Sequence, residues 1–113
     1  MNLKQMGYGS EALVQRYYQG LGYKLLKKNF TIPGGEIDLL MQKDKLLVAI
    51  EVKTVNHIDE LDNYISLKKI GLLEKSLVSF LQDQGEAFEE IRMDALFVKE
   101  GEIIEIYEDI TNS

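Results

Sequence analysis

The chain has 113 residues, 45% of them hydrophobic, with no cysteine and a formal charge of −6. That apolar content is enough to bury one core without crosslinks. The lack of cysteine excludes disulfides and thiolate metal sites, and no apolar run approaches the ~20 residues that span a bilayer, nor does the start, Met1-Asn2-Leu3-Lys4-Gln5, carry a signal-peptide stretch. The expectation is a single domain over residues 1–113, soluble and cytoplasmic.

In chain order, Ser10 can cap a helix running to about Gln19, with Ala12, Leu13, Arg16 and Tyr17 spaced as its inward stripe and Gly20 to Gly22 ending it. Tyr23 to Thr31 reads as a strand, and Pro33-Gly34-Gly35 turns into a hairpin of two apolar runs, Ile37 to Met41 and Leu46 to Val52, around Gln42-Lys43-Asp44-Lys45. Ser66 can cap a second helix through about Gln84, with Ile70, Leu73, Leu77 and Phe80 or Leu81 inward, and Gly85 stops it. Ile91 to Val98 and Ile103 to Ile110 form a last strand pair around Lys99-Glu100-Gly101-Glu102. The order αβββαββ predicts a mixed sheet flanked by helices, an α/β or α+β sandwich. The ten aromatic residues scatter over many elements, which suits core and rim better than a base-stacking platform.

The hairpin holds the chemistry. With an even loop centred between Asp44 and Lys45, Ile37 faces Val52, Leu39 faces Ile50 and Met41 faces Val48, giving an apolar sheet face. On the opposite face Asp38 then stands across from Glu51, and Glu36 from Lys53. A one-residue slip would drop Asp38 into the core, so the hydrophobic pattern selects this register. Two facing carboxylates repel, and a hard cation such as Mg²⁺ or Mn²⁺, taking oxygen ligands, would relieve them. Lys53 would lie close enough to orient or deprotonate a water and to offset charge developing on a phosphate. The plainer alternative is a solvated face carrying a Glu36–Lys53 ion pair.

Gly35-Glu36-Ile37-Asp38, a short turn, then Glu51-Val52-Lys53 resembles the active-site signature of the PD-(D/E)xK nuclease superfamily. It is closest to the small bacterial YraN-like branch, related to Holliday-junction resolvases. Gly7 and Glu11 on the first helix, Gly22-Tyr23, Asn29, Lys69 on the second helix and Arg92-Met93-Asp94 opening a late strand follow the family's order over about a hundred residues. The resemblance implies a restriction-endonuclease-like fold, with Asp38, Glu51 and the main-chain carbonyl of Val52 as metal ligands and Lys53 as the catalytic lysine. It adds Glu11 at the edge of the metal site and Lys69 as a phosphate contact, and Glu36 on the signature's own strand is a further candidate. Read without the family, Glu11 is an acid in a helix's first turn, favourable to the macrodipole, and Lys69 a solvated residue beside Lys68.

Some residues depart from the family. Val55 stands where a basic residue is usual, and Asn56-His57-Ile58-Asp59-Glu60-Leu61-Asp62 is acidic where a glycine-containing, often basic loop is expected. His57, the only histidine, has no histidine or cysteine partner for a zinc site of ordinary spacing. The net charge opposes attraction to phosphate, unless the bases (Lys24, Lys27, Lys28; Lys43, Lys45; Lys68, Lys69, Lys75) gather at the site and the acids of 86–90 and 100–109 lie away from it. Two functions remain open. One is a metal-dependent endonuclease acting on DNA, branched DNA included; the other is a non-catalytic binding or scaffolding module of the same fold, with a protein partner of basic surface. Resolvase relatives act as homodimers, although no sequence feature here marks a dimer interface.

Overall fold

The computed structural model describes residues 3–32, 35–55, 71, 75, 77–82 and 88–110. Helix α1 (Leu3–Gly20) leads into strands β1 (Lys24–Ile32), β2 (Gly35–Lys43) and β3 (Leu46–Thr54), and β4 (Glu90–Lys99) and β5 (Glu102–Tyr107) follow. Between β3 and β4, residues 77–82, with Gly71 and Lys75, are helical and form α2. The strands make one five-stranded sheet in chain order; β3 and β4 are parallel and the other neighbours antiparallel. The helical crossover is what a parallel pair requires. The expected order αβββαββ and mixed sheet are therefore observed.

The sheet is apolar on both sides. Along β3 and β4 successive residues enter alternate clusters: Leu47, Ala49, Ala95 and Phe97 pack with Leu77 and Phe80 of α2, whereas Val48, Ile50, Leu96 and Val98 pack with Val14 and Tyr18 of α1. Phe30 and Phe80 meet edge to face at 5.3 Å between centroids. The single apolar hairpin face expected from sequence is thus a correction: Leu40 and Ala49, on the supposed polar face, are buried under α2. A strand covered on both faces loses its polar/apolar alternation.

Helix α1 differs from expectation at its start and its stripe. Ser10 lies inside the helix, buried, with Oγ 2.6 Å from Thr54 Oγ1. Ser10, Val14 and Tyr18, spaced by four, face the sheet, while Arg16 and Tyr17 are exposed. The helix ends as expected. The Leu21 and Gly22 N–H groups donate to Tyr18 and Gln19 carbonyls, and Gly22 takes φ +99°, a conformation open to glycine. Lys43 Nζ donates to the Leu21 carbonyl at 2.8 Å and lies over the Tyr23 ring, so this base at the hairpin tip closes the helix end. Strand β5 stops at Tyr107 rather than Ile110, because the next residues turn back: Asp109, at φ +58°, donates its N–H to buried Asp94.

A candidate metal centre at the open end of the β2–β3 hairpin

The β2–β3 ladder runs from Lys43–Leu46 through Met41–Val48 to Leu39–Ile50, in the register expected from sequence. The expected pairs Ile37–Val52, Asp38–Glu51 and Glu36–Lys53 lie beyond its end. There the Asp38 carboxylate takes over the role of a strand carbonyl, its Oδ2 accepting the Val52 N–H at 2.8 Å.

Strand β1 helps to turn Asp38. The β1–β2 register pairs Lys28 with Leu39 and Phe30 with Ile37 but skips the step between them, where Asn29 stands opposite Asp38. Asn29 has φ +50°, left-handed backbone within a strand. Ile37 consequently packs in the α2-side cluster with Leu40, whereas Leu39 packs in the α1-side cluster. Regular alternation would keep Ile37 with Leu39. The kink at Asn29 and Asp38 explains how a residue due to point into the α2-side core comes to sit at the strand opening.

Glu51 is almost fully buried, with 4% of its surface exposed, and Lys53 Nζ pairs with its Oε1 at 3.1 Å. This replaces the Glu36–Lys53 pair of the solvated-face alternative, since alternation puts Lys53 beside Glu51 along one strand. Glu36 is exposed, and its charge bears on both Asp38 and Glu11. Burial, then the nearby Glu51 charge, push the Asp38 carboxyl up to about 7, against the lowering effect of the Val52 N–H.

Glu11 is no first-turn acid, because α1 begins at Leu3. Its Oε1 is buried and has no hydrogen-bond partner among the described residues, and burial raises its pKa, with Lys28 opposing and Glu36 and Glu51 adding to the rise. A buried carboxylate oxygen without a donor is costly. It fits a site meant to receive a cation. Among the described residues no three carboxylate, histidine or cysteine side chains are grouped closely enough to hold an ion by themselves. One or two carboxylates completed by water or other oxygens is the kind of donor set with which Mg²⁺ is commonly held.

Lys69, Lys68, the 56–62 loop with His57, the Ser66 cap, and Ile70, Leu73 and Gly85 lie outside the described residues. Val55 is a core residue, 2% exposed, with its N–H on the Val98 carbonyl, which accounts for an apolar side chain there. Lys28, named from sequence only as one of the bases free to gather at the site, pairs opposite Leu39, and its charge bears on Glu11.

Asp94, 1% exposed, belongs to a separate buried network. It accepts Tyr18 Oη at 2.6 Å and, from Arg92, Nε and Nη2 at 3.0 Å each. Arg92 also reaches Tyr23 Oη and, at 2.8 Å, Glu108. The Arg92-Met93-Asp94 segment thus ties α1, the start of β1, β4 and the turn after β5 into one frame. No described helix is long and apolar enough to cross a membrane.

The family model described as "Uncharacterised protein family UPF0102" matches residues 10–98, a span holding every site residue named above. A UPF0102 protein of Syntrophomonas wolfei subsp. wolfei is 32% identical over 97 residues, covering 84% of each chain. Another, from Wolinella succinogenes, is 34% identical over 105 residues, covering 93% of this chain and 94% of the relative. With the match running through helix α1, the hairpin and β4, the chain belongs to the UPF0102 family.

Proposed function

We propose that this protein is a metal-dependent endonuclease-like enzyme of the PD-(D/E)xK type that hydrolyses DNA phosphodiester bonds, acting in the cytoplasm. One observation carries the reading: Asp38 and the Glu51–Lys53 pair sit at the opening of one hairpin, with a buried, unpartnered Glu11 oxygen whose charge is felt there. Asp38, Glu51 and the Val52 carbonyl are the residues that would hold Mg²⁺ or Mn²⁺. When bound, the ion supplies Lewis-acid stabilisation of the phosphate and of the leaving oxygen. Lys53 orients or deprotonates the attacking water and offsets charge gathering on the phosphate oxygens. Asp38, anchored on the Val52 N–H, is held in place before any ligand arrives.

A nicking assay on supercoiled and branched DNA with Mg²⁺ or Mn²⁺ tests this. The expected result is cleavage by the parent protein and its loss in Asp38→Asn and Glu51→Gln. No cleavage of any substrate by the parent would instead favour a binding or scaffolding module of the same fold.

A further inference from the structure

The two edges of the sheet carry opposite charge. Strand β1, Lys-Leu-Leu-Lys-Lys-Asn-Phe-Thr-Ile, is one edge and contains no acid; β5, Glu-Ile-Ile-Glu-Ile-Tyr, is the other and contains no base. Lys24, Lys27 and Lys28 are all exposed, as are Glu100, Glu102, Glu105 and Glu108 along and beside β5. Edge lysines are often a guard against strand-to-strand pairing. A guard works with either sign, however. Here the positive edge adjoins β2, the strand of Asp38, and the negative edge lies on the far side of β4.

The backbone of β1 also arranges its lysines. Residues three apart in a regular strand point to opposite sides, but the register shift between Leu25 and Lys27 pairs Lys24 with Gln42 and Lys27 with Leu40, two positions apart on β2. Paired residues share a side, so the bulge brings Lys24 and Lys27 onto one side. Lys28 pairs with Leu39, next to Asp38, and so lies on the other side of the strand. Its charge is felt by Glu11 at the metal centre. From Lys24 to Lys28 the partners on β2 run from Gln42 to Leu39, three steps or about 10 Å, the axial length of about three nucleotides of one DNA strand.

We propose that the β1 edge is the track along which one DNA strand enters the Asp38–Glu51 site, with Lys24 and Lys27 meeting its phosphates from one side of the edge, Lys28 from the other side next to Asp38, and the acidic β5 edge turned away. This deepens the nuclease reading and rests on it for the track's end point. The net charge of −6 then favours approach along this edge, which carries three bases and no acid.

The test is binding of labelled duplex and single-stranded DNA in EDTA, read as affinity against salt. The triple variant Lys24→Gln, Lys27→Gln, Lys28→Gln is compared with Lys45→Gln, Lys75→Gln, Lys99→Gln, which makes the same charge change elsewhere. Each lost phosphate contact lowers the slope of log affinity against log salt by about 0.7 to 0.9, so the β1 triple should lose about 2 to 3 in slope and at least ~10-fold in affinity. The control should keep the parent slope. Equal losses in both triples, an unchanged β1 triple, or no DNA bound by the parent at low salt would each overturn the track. Should the β1 triple fail to fold, single Lys24→Gln and Lys28→Gln variants read the slope one contact at a time, with Lys→Arg at the same positions retaining it. Binding through β1 without any cleavage would overturn the nuclease reading and leave the track. Cleavage with an unaffected β1 triple would do the reverse.

Discussion

Asp38 Oδ2 accepts the Val52 N–H at 2.8 Å, one step beyond Leu39–Ile50, the last pair of the hairpin ladder. A side chain that stands in for a strand carbonyl holds two diverging strands at a set distance. It also leaves Asp38 close to the Glu51 charge in a partly buried site, where burial and that charge outweigh the Val52 N–H and make ionisation unfavourable.

Stability without metal should therefore fall with rising pH. The Asp38 carboxyl is raised from 3.8 to about 7 in the folded protein. Between those values the folded state binds the proton more tightly than the unfolded chain does, so its stabilisation is full below the lower value and lost as pH rises through the upper one, with a slope of at most about 1.4 kcal/mol per pH unit. Thermal melts in EDTA from acid to neutral pH should show this fall. In Asp38→Asn the slope should flatten and the melting temperature at pH 8 should exceed that of the parent; a parallel profile would remove Asp38 as its source.

Divalent metal should restore what neutral pH removes. An ion bound only by the folded state raises the melting temperature by mass action, and its competition with the proton on Asp38 makes binding strengthen as pH rises toward 7. Calorimetry with Mn²⁺ should detect proton release near pH 6, and Asp38→Asn should abolish the stabilisation. Absence of millimolar binding by the parent would count against the metal centre.

Lys53→Ala separates catalysis from support. It strips a nearly buried carboxylate, Glu51, of the ammonium 3.1 Å away, so the metal-free protein should lose about 1 to 3 kcal/mol. Metal affinity should stay level or rise, because a competing positive charge has gone, while any cleavage rate should drop ~10²-fold or more. Lys53→Arg should recover stability without recovering cleavage, since guanidinium keeps the charge but cannot act as a tunable base. Cleavage by Lys53→Ala at the parent rate would exclude this residue from the mechanism.

The Asp94 network should be unequal in its parts. Tyr18→Phe removes one of several donors to Asp94 and should cost about 1 to 2 kcal/mol. Arg92→Ala leaves a 1% exposed carboxylate without its cation and should cost about 3 to 5 kcal/mol. Denaturant titrations of both variants and the double variant would expose the coupling expected for groups sharing Asp94.

Asn29 tests the kink opposite Asp38. Asn29→Gly, which accepts φ +50° without strain, should bind Mn²⁺ like the parent. Asn29→Val should cost about 1 to 3 kcal/mol of stability and, by regularising β1, weaken Mn²⁺ binding beyond what the melting shift accounts for. Equal metal affinity in both variants would confine Asn29 to the fold.

Local pattern was enough for much of this protein. Alternating and continuous apolar runs located the strands, the turn Gln42–Lys45 set the register of Met41 on Val48 and Leu39 on Ile50, and the spacing of Glu51 and Lys53 along one strand brought them together. These relations depend on neighbours in the chain, where strand geometry converts sequence distance directly into space. Tertiary structure decided the rest. Whether the hairpin's second face met water or α2, which stripe of α1 faced the sheet, and whether Glu11 lay at a helix start or beside Asp38 and Glu51 all depended on packing between distant segments. Tyr18 and Asp94, 76 residues apart, meet at 2.6 Å, and the turn of Asp38 toward Val52 needs a left-handed residue on a neighbouring strand. No periodicity within one segment encodes such contacts, because they form only when the sheet is assembled and both its faces are covered.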